Sequence, residues 1–203
     1  TIDGSDGNDT ITPGNGSDQV TPGLGNDSIN LLETYASMDK LIYTLDDGSA
    51  NVDTVANFDL RVVKDVISLD VSELSTPITV GNGSNALLTN TGNLVVTEHL
   101  LDTNLDLSSG TAETIIKLMQ TDQSEFADAF GASEITVADG ACINFLWYDA
   151  DTNEAVYGYA SENADAPADN KITSADAFVE IVRLSVSDSN YIHFLDTGNF
   201  EFV

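Results

Sequence analysis

Gly4-Ser-Asp-Gly-Asn-Asp-Thr-Ile-Thr12, Pro13-Gly-Asn-Gly-Ser-Asp-Gln-Val-Thr21 and Pro22-Gly-Leu-Gly-Asn-Asp-Ser-Ile-Asn30 follow one another without a gap. Each nonapeptide opens on a Gly-containing turn, carries an Asp at its sixth position (Asp9, Asp18, Asp27) and a β-branched residue two places later (Ile11, Val20, Ile29). Such a repeat predicts stacked units of turn and short strand, in which the turn offers oxygen atoms and the strand offers one inward apolar side chain. A single unit buries too little to fold alone, so neighbouring units must stack.

The oxygen-rich turns suit a hard cation. Calcium takes six to eight oxygen ligands at about 2.3–2.6 Å, mixing carboxylates with backbone carbonyls. Backbone crowds around an ion only where side chains are missing, which gives Gly7, Gly14, Gly16, Gly23 and Gly25 a role. Plain Asx-Gly turns are the alternative reading of such a stretch. Three in-register copies with an apolar residue at one offset argue against it.

The pattern resembles the Gly-Gly-x-Gly-x-Asp-x-hydrophobic-x motif of the repeats-in-toxin (RTX) family, whose parallel β-roll uses two nonapeptides per turn. The resemblance implies an ion between same-side loops two repeats apart, pairing Asp9 with Asp27 and using carbonyls of Gly4, Asp6, Gly23 and Gly25. It also implies that Gly14, Gly16 and Asp18 face a repeat upstream, of which Thr1-Ile2-Asp3 reads as the tail. The chain then reads as a fragment of a longer array. Ser5, Pro13 and Pro22 stand where the family has glycine, and proline fixes φ and lacks an N–H. After Asn30 the nine-residue register fails, because Ala36 and Leu45 fall where the next aspartates belong. The array is expected to end there.

Downstream, Asp53-Thr-Val-Ala-Asn-Phe58 and Lys64-Asp-Val-Ile-Ser-Leu69 are similar to the segment that follows RTX arrays, which implies that Asp53 and Asp65 hold a capping ion. Surface-strand aspartates are the alternative. Ile143-Asn-Phe-Leu-Trp-Tyr-Asp-Ala-Asp151 resembles a strand near RTX C-termini, and Glu201-Phe202-Val203 resembles the end of type I secretion substrates or else a closing strand. The expected organisation is a β-roll over 1–38, a capping β segment over 39–110 and a β-rich C-terminal module over 111–203. Overall the fold class is mostly β, with one or two helices.

Strands are expected at Leu41 to Leu45, Thr54 to Phe58, Val66 to Leu69, Ile78 to Val80, Leu94 to Glu98, Ile143 to Tyr148 and Ala155 to Tyr159, from β-branched and aromatic content. Ile115, Met119 and Phe126 predict a helix over Thr111 to Phe130. Ala175 to Leu184 reads as a second helix or a strand, and Tyr191 to Leu195 with Asn199 to Phe202 as a terminal hairpin.

Lys and Arg number 6 against 34 Asp and Glu, a net charge of −28. Nucleic acid and anionic membrane surfaces are poor partners for such a chain. A hydrophobic fraction of 41% still supports a packed core rather than a disordered acidic tail. Cys142 is the only cysteine, so no intrachain disulfide can form. No apolar run reaches a transmembrane length, and no N-terminal signal peptide is present.

Catalytic signals are thin. His99 and His193 are the only histidines and read as strand residues; neither a His-Glu-x-x-His helix nor a Gly-x-Ser-x-Gly elbow occurs. Cys142 reads as core. Asp149-x-Asp151-x-Asn153 imitates the opening of an EF-hand loop, but Glu154 replaces the required Gly and Ala160 the bidentate Glu, which leaves a solvated turn. Asn163 to Asn170 reads as a surface loop.

The resemblance thus implies a non-catalytic, extracellular protein or cell-surface part that binds Ca2+, leaves through type I secretion machinery and assembles as a surface layer or adhesin, with copies of itself or a cell-surface glycan as partners. Two alternatives are the export and stabilisation module of a secreted protease or lipase, and a calcium-dependent glycan or peptide binder using Trp147 and Tyr148 as stacking residues.

Overall fold

The computed structural model describes residues 1–44, 51–60, 63–70, 95–99, 105–106, 114–123, 126–130, 134–136, 142–161, 171–174, 176, 178–187 and 189–202. The described chain is mostly β. Seven short strands lead: β1 (Ile2–Asp3), β2 (Thr10–Ile11), β3 (Gln19–Thr21), β4 (Ser28–Asn30), β5 (Lys40–Thr44), β6 (Asp53–Ala56) and β7 (Val66–Asp70). Odd-numbered strands form one parallel sheet, β1-β3-β5-β7, and even-numbered strands another, β2-β4-β6. The chain therefore crosses from one sheet to the other at every turn.

This alternation does not stop at Asn30. The nine-residue spacing ends there, but β5, β6 and β7 add three more rungs to the same two sheets. The apolar residue of each strand explains why. In the first sheet Ile2, Val20, Leu41 and Ile67 stack in register, and in the second Ile11, Ile29 and Val55 do so. Apart from Ile2, which packs against the core partly buried, these side chains are buried. Each strand brings at least one aliphatic side chain to a common core, β7 adding Leu69 to Ile67, and longer turns leave that contribution unchanged.

The remaining strands extend both sheets. β16 (Phe200–Phe202) pairs parallel with β7, placing Phe200 on Ile67. The second sheet continues through β15 (Phe178–Ser185), β13 (Glu154–Ser161), β12 (Cys142–Asp149), β10 (Thr114–Gln123) and β8 (Val95–His99). A small third sheet joins β9 (Leu105–Asp106), β11 (Glu134–Thr136) and β14 (Lys171–Thr173). Among the described side chains of that extension, residues 115–118 of β10, 143–149 of β12 and 155–158 of β13 are buried on both faces. Ile115, Leu146, Tyr148 and Tyr157 join the core shared with the leading strands, whereas Ile116, Leu118, Phe145, Trp147 and Val156 pack beneath the helix α1 (Phe126–Phe130).

Three sequence expectations are corrected. The helix expected over Thr111 to Phe130 is the ten-residue strand β10 and the five-residue helix α1. The Ala175 to Leu184 segment takes its strand alternative, as β15. The terminal hairpin is absent: Tyr191–Phe194 forms the short helix α2, and β16 pairs with β7 instead of folding back. The strands expected at Leu41, Thr54, Val66, Leu94, Ile143 and Ala155 are observed within a residue or two. Ile78 to Val80 and the loop over Asn163 to Asn170 lie outside the described residues. Among the described residues, no helix is long and apolar enough to cross a membrane.

Candidate metal centre

The turns before the leading strands carry an aspartate two residues ahead of each buried aliphatic side chain: Asp9, Asp18, Asp27, Asp39, Asp53 and Asp65 precede Ile11, Val20, Ile29, Leu41, Val55 and Ile67. Strand alternation sorts them into two stacks, Asp9-Asp27-Asp53 at one edge and Asp18-Asp39-Asp65 at the other. The same two contacts hold each step. The backbone N–H of Asp9 donates to Asp27 Oδ1 at 2.7 Å, and that of Asp27 to Asp53 Oδ1 at 2.8 Å. On the opposite edge Asp18 N–H reaches Asp39 Oδ1 at 2.9 Å and Asp39 N–H reaches Asp65 Oδ1 at 2.8 Å. Each upper residue's carbonyl in turn accepts from the strand below, as Asp9 O does from Ser28 N at 2.9 Å.

Four of these carboxylates lie in the interior, and Asp9 and Asp18 are half-buried. Asp27, Asp39, Asp53 and Asp65 are at most 2% exposed. Among the described residues, Asp9 Oδ2 and Asp39 Oδ2 are buried and accept no hydrogen bond. Burial pushes Asp39 above its usual carboxylate range against its bond from Asp18 N–H, and the charges of Glu33 and Asp18 push the same way. Burial also carries Asp65 up to about 6, although N–H groups of Asp59 and Asp39 bind it.

The turns of the first stack are built for close approach. Gly4 N–H donates to Thr21 O, Leu24 N–H to Ser5 O and Gly7 N–H to Leu24 O, joining the Gly4–Gly7 turn to the Pro22–Gly25 turn. Ser5, Gly14 and Gly23 are nine residues apart and share a left-handed backbone, with φ of 68°, 93° and 95°. A Cβ on Gly23 would lie 2.0 Å from Ser5 O, and one on Gly4 would lie 3.2 Å from Asp9 Oδ2. Gly4, Gly23, Gly25, Asp9 and Asp27 are thus brought together, while the Asp6 side chain is exposed and its backbone bridges Leu24.

On the other edge, the Gly14-Gly16-Asp18 turn meets a partner that the spacing concealed. The link after β4 lies against it downstream: Gly16 N–H donates to Glu33 Oε1 at 2.7 Å, and Thr34 N–H to Asn15 Oδ1 at 2.7 Å. Glu33, Asp39 and Asp59 are additions to the residues singled out from sequence. The signal for Asp39 was its Asp-x-Leu offset, hidden by a spacing of twelve instead of nine. A cavity of about 160 Å³ opens one rung further along, lined by Glu33, Asp59 and Asp65 among others.

Stacked like charges oppose this arrangement. At a rung spacing of about 4.8 Å and an effective dielectric of about 20, two full charges repel by about 3 kcal/mol. A charge-assisted hydrogen bond returns about 1.5–3 kcal/mol. A divalent cation bound to the oxygens would tip that balance, and the donor set, carboxylate and carbonyl oxygen, suits a hard ion. Among the described residues, no three His, Cys, Asp or Glu side chains form a metal cage by themselves. Carbonyls would have to complete any site.

Other residues weighed from sequence fall elsewhere. Trp147 and Tyr148 are buried in the two cores, as packing requires. The Asp149 to Asn153 turn joins β12 to β13, with Asp149 Oδ1 accepting from the N–H groups of Asp151 and Thr152. His193 lies in α2 and is exposed, and His99 lies in β8. No family model matches the chain, and no curated protein or solved structure is significantly similar to it.

Proposed function

We propose that this chain is a calcium-binding structural module, a short RTX-like β-roll continued by a β-rich end, whose folding outside the cell is switched by calcium. The observation that carries the reading is the pair of aspartate stacks, with buried oxygens at Asp9 and Asp39 that accept no hydrogen bond. Asp9, Asp27 and Asp53 with carbonyls of Gly4, Asp6, Gly23 and Gly25 would hold ions on one edge, and Asp18, Asp39 and Asp65 beside Gly14 and Gly16 on the other. Net charge of −28 makes the same demand at the scale of the chain. With ligand a hundredfold above Kd, one native-state site contributes about 2.7 kcal/mol, a large share of a domain's margin.

The role is structural: type I export followed by calcium-driven folding at the cell surface, in a surface layer or adhesin. Burial of Trp147 and Tyr148 takes support from the glycan-stacking alternative. Circular dichroism of the chain in millimolar calcium and in excess chelator tests the switch. Strand signal is expected to fall sharply in chelator, and identical spectra would sink the proposal.

A further inference from the structure

We propose that on the Gly14–Gly16 edge the divalent cation is held by the link between β4 and β5, residues 31–39, through the carboxylates of Glu33 and Asp39 together with backbone carbonyls of the facing 14–17 turn. The kind of ion rests on the calcium reading above. The site does not, because Glu33 belongs to no nonapeptide and Asp39 falls outside the nine-residue register.

A further repeat would place a glycine turn after Asn30 and offer carbonyl oxygens. The sequence instead supplies Leu31-Leu-Glu-Thr-Tyr-Ala-Ser-Met-Asp39. The Glu33 side chain occupies the space such a turn would fill, with Oε1 taking the Gly16 N–H at 2.7 Å and Oε2 the Ser37 N–H at 2.6 Å. One oxygen of Asp39 is committed to the Asp18 N–H at 2.9 Å. The other, on a residue 1% exposed, accepts no hydrogen bond among the described residues, and Glu33 and Asp18 are the carboxylates whose charge bears on it. Lys40, the nearest cation in sequence, pairs with Glu201 at 2.7 Å.

A buried acceptor with no donor, set among like charges, is costly unless a cation answers it. Affinity of oxygen sites rises with the number of charged ligands. A carboxylate in place of a carbonyl therefore makes this site tighter than one built from repeats alone.

Native mass spectrometry of the full chain during a calcium titration tests the assignment. Glu33→Gln and Asp39→Asn are each expected to lose one ion, the double variant is expected to lose that same single ion, and Asp9→Asn on the opposite edge is expected to lose a different one. A Glu33→Gln chain that keeps the wild-type count, or a double variant that loses two ions, overturns the site while leaving the calcium reading intact. A wild-type chain that binds no ion overturns both. If Glu33→Gln fails to fold, Tyr35→Trp serves instead, because Tyr35 is 79% exposed and two residues from Glu33. Terbium luminescence excited through the new indole should rise several-fold over wild type, and no rise overturns the site.

Discussion

Gly14 and Gly23 occupy the same place in successive repeats and the same left-handed region, with φ of 93° and 95°. Their neighbours differ. A side chain on Gly14 would meet open space, whereas one on Gly23 would strike Ser5 O at 2.0 Å. Gly14→Ala should therefore cost only the conformational penalty, about 1–2 kcal/mol. Gly23→Ala must also force the stacked turns apart and should cost at least twice as much, measured by denaturant unfolding in calcium. Equal costs would show that these turns are not in contact. At this scale the aspartates and the aliphatic residues two places on were legible, because nine-residue spacing exposes them. Asp39 escaped, because the count of residues in a turn is free to change while the Asp-x-aliphatic offset is not.

Among the elements, the strand β15 is tied to the β12–β13 hairpin through Arg183. Its guanidinium meets Asp149 at 2.9 Å, Glu154 at 3.1 Å and Glu180 at 2.9 Å, with the four side chains between 4% and 27% exposed. Burial opposes ionisation of Asp149, but bonds from Arg183 and from the Thr152 and Asp151 N–H groups prevail and hold it below its usual range. Removing one partner of a buried pair costs about 3–5 kcal/mol. Partial exposure discounts that figure here, so Arg183→Leu should lose about 2–3 kcal/mol in urea unfolding at neutral pH. For a carboxylate with a depressed native pKa, stability is present above the unfolded value and disappears as pH falls through the native one. The Arg183→Leu penalty should therefore shrink below about pH 4; a penalty unchanged at low pH would assign it to lost packing.

The same scale holds the misread elements. β10 buries Ile115 towards one core and Ile116 and Leu118 towards the other. A strand covered on both faces loses the alternation that marks half-buried strands, and Ile115, Met119 and Phe126 then imitate a helical stripe. The C-terminal strand shows the converse limit. Asp196 caps a short 3-10 turn over Thr197–Asn199, Lys64 pairs with Asp196, and Asn199 Nδ2 donates to Asp65 O at 3.0 Å. Contacts across more than a hundred residues aim Phe200 at Ile67 rather than at its sequence neighbours.

For the whole molecule, buried aspartates make metal-free stability depend on pH. Asp65 titrates at about 6 in the folded chain against a usual 3.8, so the native state takes up a proton before the unfolded state does. Stability from that proton is complete below about pH 4 and is lost as pH rises through about 6. Asp39, raised by burial, acts in the same direction. In chelator, the strand signal should consequently be retained best near about pH 5 and fall towards pH 7. Saturating calcium, which binds the ionised form, should flatten or reverse that slope; identical slopes with and without calcium would remove the ion from these stacks.

Composition and the Asp-x-aliphatic offset by themselves determined a mostly β chain with oxygen-rich turns at its start, because one inward side chain per strand and one acid per turn are local features. Tertiary structure alone decided that the coil outlives the repeat, that Glu33 lies across the Gly16 turn, and that the last strand closes the first sheet. Those outcomes depend on which distant backbone N–H a carboxylate or a strand edge can reach, and spacing along the chain carries no record of that distance.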